Sequence, residues 1–424
     1  MTKIKVLLVA ENISQKMGGE AAKNLIYFKK IKEHRLDIEV VCHSRVKSEL
    51  ETLLSPEDFS QFSFIEDSIY QKILWQASIF FPQRIRELVF SQLIFVITQI
   101  KMRKLVKQIK KDKDIQLVFQ PTPNTPKSPS SMYGLEIPIV IGPLKGGMEF
   151  PPAFQYMDSS LTRNILKIGK NSSNLLQKLM PGKLLADILL VGDQQTKELL
   201  PLGYQGKLYE ILECGVDLKL YKNQVNYKKD YNNKTVKFIF TGRLVDWKGV
   251  QFLLEAFKIS LKEVNGILEI IGDGNLRPKL EQQAQELGIS QQVNFTGWLT
   301  QEDIVDRLIK SDVFVMPSLR ESCGNSILEA MAVGLPVIAT NWGGPSRILD
   351  SSCGKLVNPD SKSNFIQSLA NEMIELSNSP DTRQRMGEAS RQRLKDNYFD
   401  WDSKIKRIIE IFNEALENDQ YKKK

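Results

Sequence analysis

The sequence predicts an α/β protein made of two doubly wound parallel-sheet domains, and three observations carry that expectation. From Val236 onward, short and continuously apolar runs alternate with amphipathic stretches at a steady rhythm. A looser version of the same alternation fills the first half. The composition is that of an ordinary globular chain, with 424 residues, 42% hydrophobic and 25% charged. Strands that are apolar throughout belong to parallel sheets covered by helices on both faces. Such sheets take their ligands beyond the carboxyl ends of the strands.

In the first half, Ile4–Ala10, Ile38–Cys42, Leu117–Gln120, Ile137–Ile141 and Ile188–Val191 read as strands. The first is followed by Glu11-Asn12 with no small-residue cleavage pattern, so it reads as a strand and not as a secretory signal. A long, mostly helical insert is expected from about residue 65 to 113, and the proline-rich Gln120–Pro129 must be an irregular loop. In the second half, strand and helix alternate as Val236–Thr241 and Val250–Ser260, Ile267–Ile271 and Leu276–Leu287, Val293–Thr296 and Glu302–Lys310, Val313–Met316 and Ser326–Val333, then Pro336–Thr340. Gly288 and Gly334 close their helices, where a left-handed backbone favours glycine. The tail is helical in pattern, broken at Asn397–Trp401. The expected division is an N-terminal domain at 1–217, a charged linker at 218–235, a second domain at 236–397 and a C-terminal helix at 398–424.

Charge and rare residues narrow the chemistry. The balance is basic, 58 Lys plus Arg against 50 Asp plus Glu, a formal +8, which favours an anionic partner. Only His34 and His43 are present, which excludes a His-rich metal site; His43 reads as a satisfied core histidine. Cys42, Cys214, Cys323 and Cys353 stand far apart, so neither a disulfide framework nor a zinc site is expected, and a reducing, cytoplasmic setting fits better. No run reaches the ~18 apolar residues that cross a bilayer. Leu88–Ile97 is nonetheless apolar nearly all round, and Lys101–Lys113 holds seven basic residues and one acidic. Residues 88–113 read either as a buried helix with a solvated face or as a peripheral contact with the inner face of a membrane. Positive charge without interleaved aromatics or a recognised motif argues against nucleic acid.

Two strand-to-helix loops carry the chemistry. In Thr241–Gly249, Arg243 and Lys248 precede a helix start, where the dipole already places about +0.5 charge. An anion shared by the helix N–H groups, the Lys and the Arg reverses that penalty and points to a diphosphate clamp; two solvated surface cations are the bland alternative. In Pro317–Ala330, Gly324 and Asn325 read as an approach and an N-cap that leave N–H groups free for phosphate or sugar hydroxyls, with Ser326 beside them. Glu329 is expected in the first helical turn, either complementing the dipole or accepting a hydroxyl pair, as from a ribose. Glu321, in the loop before the helix, is expected to face Arg243 and Lys248. Gly272 and Gly274 form a bare G-x-G, which is weak evidence. Gly18 and Gly19, between the first strand and its helix, permit a close backbone approach to a phosphate. The Asp-x-Asp strings at Asp112–Asp114 and Asp400–Asp402 lie on a lysine-rich helix and in the tail, so no metal site is expected.

The spacing from Glu321 to Glu329, with Gly324 between, resembles the E-x(7)-E signature of retaining glycosyltransferases of the GT-B fold, two Rossmann-like domains facing across a cleft. The phrases FTGRLVDWKG, LEIIGDG, VNFTGWL, VFVMPSLRESCGNSILEAMAVGLPVIAT and GKLVNPD, from Val236 to about Asp360, are similar to glycosyltransferase family 4, the group 1 domain. The resemblance implies that Arg243 and Lys248 neutralise a donor diphosphate, that Glu321 contacts the donor sugar and that Glu329 binds the ribose. It further implies that the amides near Gly324, Asn325 and Ser326 hold phosphates, that Gly272 and Gly274 line the nucleotide side, that Gly18 and Gly19 approach the donor, and that the helix at 398–424 crosses back onto the first domain. Many members carry a cleft histidine where this chain has Ile141–Gly147; Gly142, Lys145, Gly146 and Gly147 are therefore the acceptor-side candidates, and no histidine is assigned a role. The implied reaction is metal-independent transfer from a nucleotide-diphosphate sugar, without a cofactor, to a glycan or lipid-linked acceptor in polysaccharide or glycolipid biosynthesis. A non-catalytic nucleotide-sugar-binding protein on the same scaffold is the alternative.

Overall fold

A computed structural model describes residues 4–81, 86–146, 148–158, 176–224 and 235–422. The chain divides into two compact units, one comprising Met1–Gly147, Leu166–Glu213 and Ile405–Lys424, the other Met148–Ile165 and Cys214–Lys404. Gly147 and residues 225–234 of the expected linker lie outside the described residues.

The first unit is built on a seven-stranded sheet in the order β3-β2-β1-β4-β5-β6-β7. Its strands are β1 (Lys5–Val9), β2 (Asp37–His43), β3 (Phe62–Ile65), β4 (Leu117–Gln120), β5 (Ile139–Leu144), β6 (Ile188–Val191) and β7 (Lys207–Glu210). Every pairing is parallel, for example Leu7 beside Glu39 on one side and Val118 on the other. β3 and β7 were not expected. β7 is exposed along most of its length, so it lacks the apolar signature of a buried strand. The expected helical insert resolves into the helices Ile69–Ser78 and Ser91–Lys113. The second of these buries Thr98, Gln99, Met102, Val106 and Ile109, while Val89 and Leu93 remain about half exposed. The basic stretch therefore lies on a helix that is packed along one face, and the apolar residues before it are not all interior.

The second unit holds a six-stranded parallel sheet in the order β10-β9-β8-β11-β12-β13. The strands are β8 (Val236–Thr241), β9 (Gly266–Ile271), β10 (Val293–Gly297), β11 (Val313–Met316), β12 (Val337–Thr340) and β13 (Gly354–Val357). Its core gathers Phe238, Phe240, Phe257, Leu268, Val315 and Phe365. Phe154, from the segment after β5, enters the same core and packs edge-on against Phe252 and Phe365 at 5.5 and 5.8 Å. The two parallel-sheet α/β units are the fold class the sequence predicts. In each, strand order reverses once, between β1 and β4 and between β8 and β11, and ligands of such sheets bind at that reversal.

Cysteine overturns an expectation. Cys214 and Cys323 form a disulfide within the second unit, with Cα atoms 6.0 Å apart at a sequence separation of 109. Spacing could not show it, because the fold and not the sequence brings these two together. Cys42 and Cys353 are free and buried.

Candidate functional site

The two loops singled out in the sequence follow β8 and β11, the strands that flank the reversal in the second sheet. They pack directly on one another. The Leu319 N–H donates to the Trp247 carbonyl at 2.8 Å, and the Lys248 ammonium is ion-paired to the Glu321 carboxylate. Both side chains are mostly buried, at 14% and 16% exposure, so solvent screens the pair far less than a surface ion pair. Arg243 is exposed and lies over the Trp247 ring at 5.8 Å. The loop thus holds one cation already matched by Glu321 and a second, Arg243, that reaches outward.

Glycines allow this close stacking of loops. Gly272 has φ 127°, and a Cβ there would stand 2.0 Å from the Gly242 carbonyl oxygen, while one on Gly274 would stand 2.3 Å from that of Leu244. The G-x-G therefore fits against the backbone that carries Arg243.

The helix after β11 runs Asn325–Ala332, and Gly324 is its N-cap at φ 98° with no side chain capping it. Asn325 is accordingly the first helical residue, not the cap. Its first turn contains no acidic residue, which corrects the expected place of Glu329: this carboxylate lies a turn further in and does not complement the helix dipole. Burial pushes its pKa up to about 7, against a hydrogen bond from Gln301 that favours the charged form. The Gln301 amide donates to Glu329 at 3.2 Å and to the Tyr221 hydroxyl at 3.5 Å. Neither Gln301 nor Tyr221 was singled out in the sequence; each is unremarkable until the fold sets it beside Glu329.

In the first unit, Gly18 caps the helix Gly19–Glu33 at φ 90°, again without a side-chain cap, and a Cβ on Gly18 or Gly19 would meet nothing within 4 Å. Lys145 follows β5. It pairs with Glu213 at 3.0 Å and with Glu20, in the first turn of that helix, at 3.6 Å. Glu213, 4% exposed, also takes Lys23 at 3.2 Å and the Asn124 amide at 3.1 Å. One buried carboxylate so ties the helix after β1 to the segments after β4 and β5. Burial lowers the Lys145 pKa, but Glu213 and then Glu20 outweigh it and hold the ammonium above its usual range. The Lys23 pKa is lowered, burial prevailing over Glu213. Gly142 sits where the β5–β6 register shifts, with φ 116° and a would-be Cβ 2.3 Å from the Leu190 carbonyl oxygen, a backbone requirement in itself. The Gly146 N–H donates to Thr196 at 3.1 Å. His43 is buried between Asp67, 3.1 Å from its Nε2, and the Arg45 N–H, which donates to its Nδ1. Lys23, Asn124 and Glu213 escaped the sequence reading, since a lone Lys or Glu carries no signal there.

Among the described residues, no group of three or more His, Cys, Asp or Glu is arranged to hold a metal ion. No helix among them is long and apolar enough to cross a membrane.

Residues 223–393 match the family described as Glycosyl transferases group 1, and that stretch is a domain of this kind. The lipopolysaccharide core biosynthesis glycosyltransferase LpsE of Rhizobium meliloti is 36% identical over 166 residues, which are 37% of this chain and 46% of the relative. The chain spans about half the length of the curated relatives it matches. A solved glycosyltransferase from Rickettsia africae superposes with a TM-score of 0.65 at 16% identity, covering 99% of this chain and 100% of that one. Anabaena Alr3699/HepE in complex with UDP gives 0.63 at 18% identity, covering 97% and 100%. These structural likenesses establish the fold, the GT-B architecture of two parallel-sheet α/β domains.

Proposed function

We propose that this protein is a retaining, metal-independent glycosyltransferase of family 4, moving a sugar from a nucleotide-diphosphate donor to a glycan or lipid-linked acceptor in polysaccharide or glycolipid biosynthesis. The observation that carries the reading is the Lys248–Glu321 ion pair at the sheet reversal, with Arg243 beside it. When a sugar–phosphate bond breaks, negative charge grows on the leaving diphosphate. Fixed cations and helix N–H groups stabilise that charge without reorganising. Arg243 and Lys248 supply the cations, and the uncapped amides at Gly324, Asn325 and Ser326 supply the N–H donors. Glu321 orients Lys248 and contacts the donor sugar; Glu329 accepts the ribose hydroxyls. Gly272 and Gly274 support the donor loop. Gly18 and Gly19 are assigned to the donor, and Gly142, Lys145, Gly146 and Gly147 to the acceptor. With no histidine as base, the leaving diphosphate oxygen itself helps take the acceptor proton, on the face where the new bond forms, which retains configuration.

Replacing Lys248 with Ala is expected to cut turnover by roughly 10²–10³-fold while circular dichroism stays unchanged, as for loss of one charge-stabilising group. Undiminished turnover would sink the assignment. Turnover in EDTA should equal turnover without it. The rival reading, a nucleotide-sugar binder without catalysis, predicts nucleotide binding with no donor hydrolysis even over long incubation.

The reading extends to place. We assign the protein a peripheral contact with a membrane. What supports this is the exposed apolar surface of the helix Ile69–Ser78 and the two residues after it, including Ile69, Tyr70, Ile73, Trp75, Ile79 and Phe80. That helix carries Lys72 and no carboxylate. Such a surface suits anionic lipid.

A further inference from the structure

Cys323 stands two residues after Glu321 and six before Glu329. It is therefore part of the loop that presents the donor site. Its partner Cys214 is anchored in a rigid corner. The Cys214 carbonyl accepts from the buried Lys404 ammonium. Next to it, the Val216 N–H donates to Phe399 and the Trp401 N–H donates to Val216, each at 3.0 Å. A Cβ on Gly215 would stand 3.1 Å from the Trp401 ring, so this corner has no slack. On the Cys323 side the Gly344 N–H donates to the Glu321 carbonyl at 2.7 Å, the Arg347 guanidinium donates to the Ser322 carbonyl at 2.9 Å, and a Cβ on Gly344 would stand 2.5 Å from the Cys323 carbonyl oxygen. Gly324, which follows, has a left-handed backbone and no side-chain cap. The disulfide ties the loop to this corner through Cys214.

We propose that the Cys214–Cys323 disulfide is a positioning element of the donor site, holding the Glu321–Gly324 loop so that Glu321 meets Lys248 and the helix amides face the phosphates, and that donor binding consequently depends on thiol state. The proposal rests on the nucleotide-donor reading above. Its chemistry is a two-electron exchange with a dithiol. A reagent thiolate attacks Cys323 Sγ, at 6% exposure the more accessible of the two, Cys214 being at 0%. The S–S bond breaks, and Cys214 leaves as a thiolate that takes up a proton. The reagent's second thiol then closes its own disulfide and releases Cys323 as a thiol. Cys42 and Cys353 are buried and take no part.

The test uses the full-length protein purified without reductant. Alkylation after denaturation should label Cys42 and Cys353 alone, and all four cysteines after dithiothreitol. Nucleotide affinity is then measured by calorimetry at 15 °C with UDP, GDP and ADP, before and after dithiothreitol. The nucleotide that binds the oxidised protein is expected to bind the reduced protein at least about tenfold more weakly. The double variant Cys214→Ser/Cys323→Ser should show the weaker value throughout and ignore dithiothreitol. A second pair, Cys214→Ala/Cys323→Val, guards against a serine-specific folding defect. Four labelled cysteines without reductant, or an affinity unchanged by reduction while the melting temperature falls, would overturn the proposal; the latter outcome would make the bond purely structural. Failure of all three nucleotides to bind the oxidised protein would instead sink the donor reading, and this inference with it.

Discussion

Burial pushes the Glu329 carboxyl up to about 7, and two consequences follow with definite sign. Between the ordinary carboxyl value and about 7, the folded state binds a proton that the unfolded state has released. The stability this contributes is fully present below the ordinary value and is lost as pH rises through about 7. Glu329→Gln, which stays neutral, should therefore match the native protein near pH 4 and exceed it by about 2 kcal/mol at pH 8 in urea titrations, the shift being discounted for partial exposure. Conversely, a carboxylate that accepts ribose hydroxyls must be ionised, so nucleotide affinity should strengthen from pH 6 to pH 8 in the native protein and stay flat in the Gln variant. A pH-independent affinity in the native protein would remove the ribose role. Glu213 sits among cations instead. Lys23, Lys145 and Asn124 all turn to it, and Glu213→Gln leaves two ammoniums without their buried partner. A loss of roughly 2–3 kcal/mol in urea unfolding is expected, toward the low end for a broken buried pair because Lys145 keeps some solvent. A loss below 0.5 kcal/mol would show that Lys145 and Lys23 simply turn to water.

At the scale of elements, the sequence was most legible where apolar runs are mostly buried. β11 is buried throughout, β8 is buried except at Lys237 and β9 except at Ile267 and Glu269, and the limits of all three fall within a residue of those expected. β7 was invisible because an exposed edge strand carries no apolar run. The two charged loops were readable because a cation ahead of a helix start conflicts with the dipole and so asks for an anion. The Gln301–Glu329 bond and the disulfide were not readable, since each joins residues far apart in sequence. The helix Ile69–Ser78 shows the same limit. Sequence drew attention to residues 88–113, yet the more exposed apolar side chains lie earlier. Ile73 and Trp75 are 54% and 61% exposed, so replacing either with Glu should leave the fold and donor hydrolysis intact. Burying such side chains in a lipid interface contributes on the order of 2 kcal/mol each. Each variant should then bind vesicles containing anionic lipid at least about tenfold more weakly in sedimentation. Equal binding by native and variant protein would shift the contact elsewhere or dismiss it.

For the whole molecule, the decisive fact is that each unit has its own sheet and core while the chain passes between them more than once. The helix Trp401–Lys422 begins in the second unit, and residues 405–424 belong to the first. There Ile405, Ile408, Ile411, Phe412 and Ala415 are buried, with Phe412 packed edge-on against Phe119 of β4 at 5.2 Å. Residues 405–415 thus complete the core of a sheet whose strand β1 begins at Lys5. Ending the chain after Lys404 would uncover that core and remove several side chains that each contribute about 1.5–3 kcal/mol by burial. The second unit loses none of these contacts. Calorimetry of the full chain should accordingly resolve two transitions, of which truncation lowers or abolishes only the first unit's. A donor nucleotide at 100 times its Kd adds about 2.7 kcal/mol to the unit that binds it, which should raise the second unit's transition by roughly 5–10 °C. Limited proteolysis across the melt assigns each transition to its unit. If the truncated chain loses the nucleotide-sensitive transition and keeps the other, the donor site has been placed in the wrong unit.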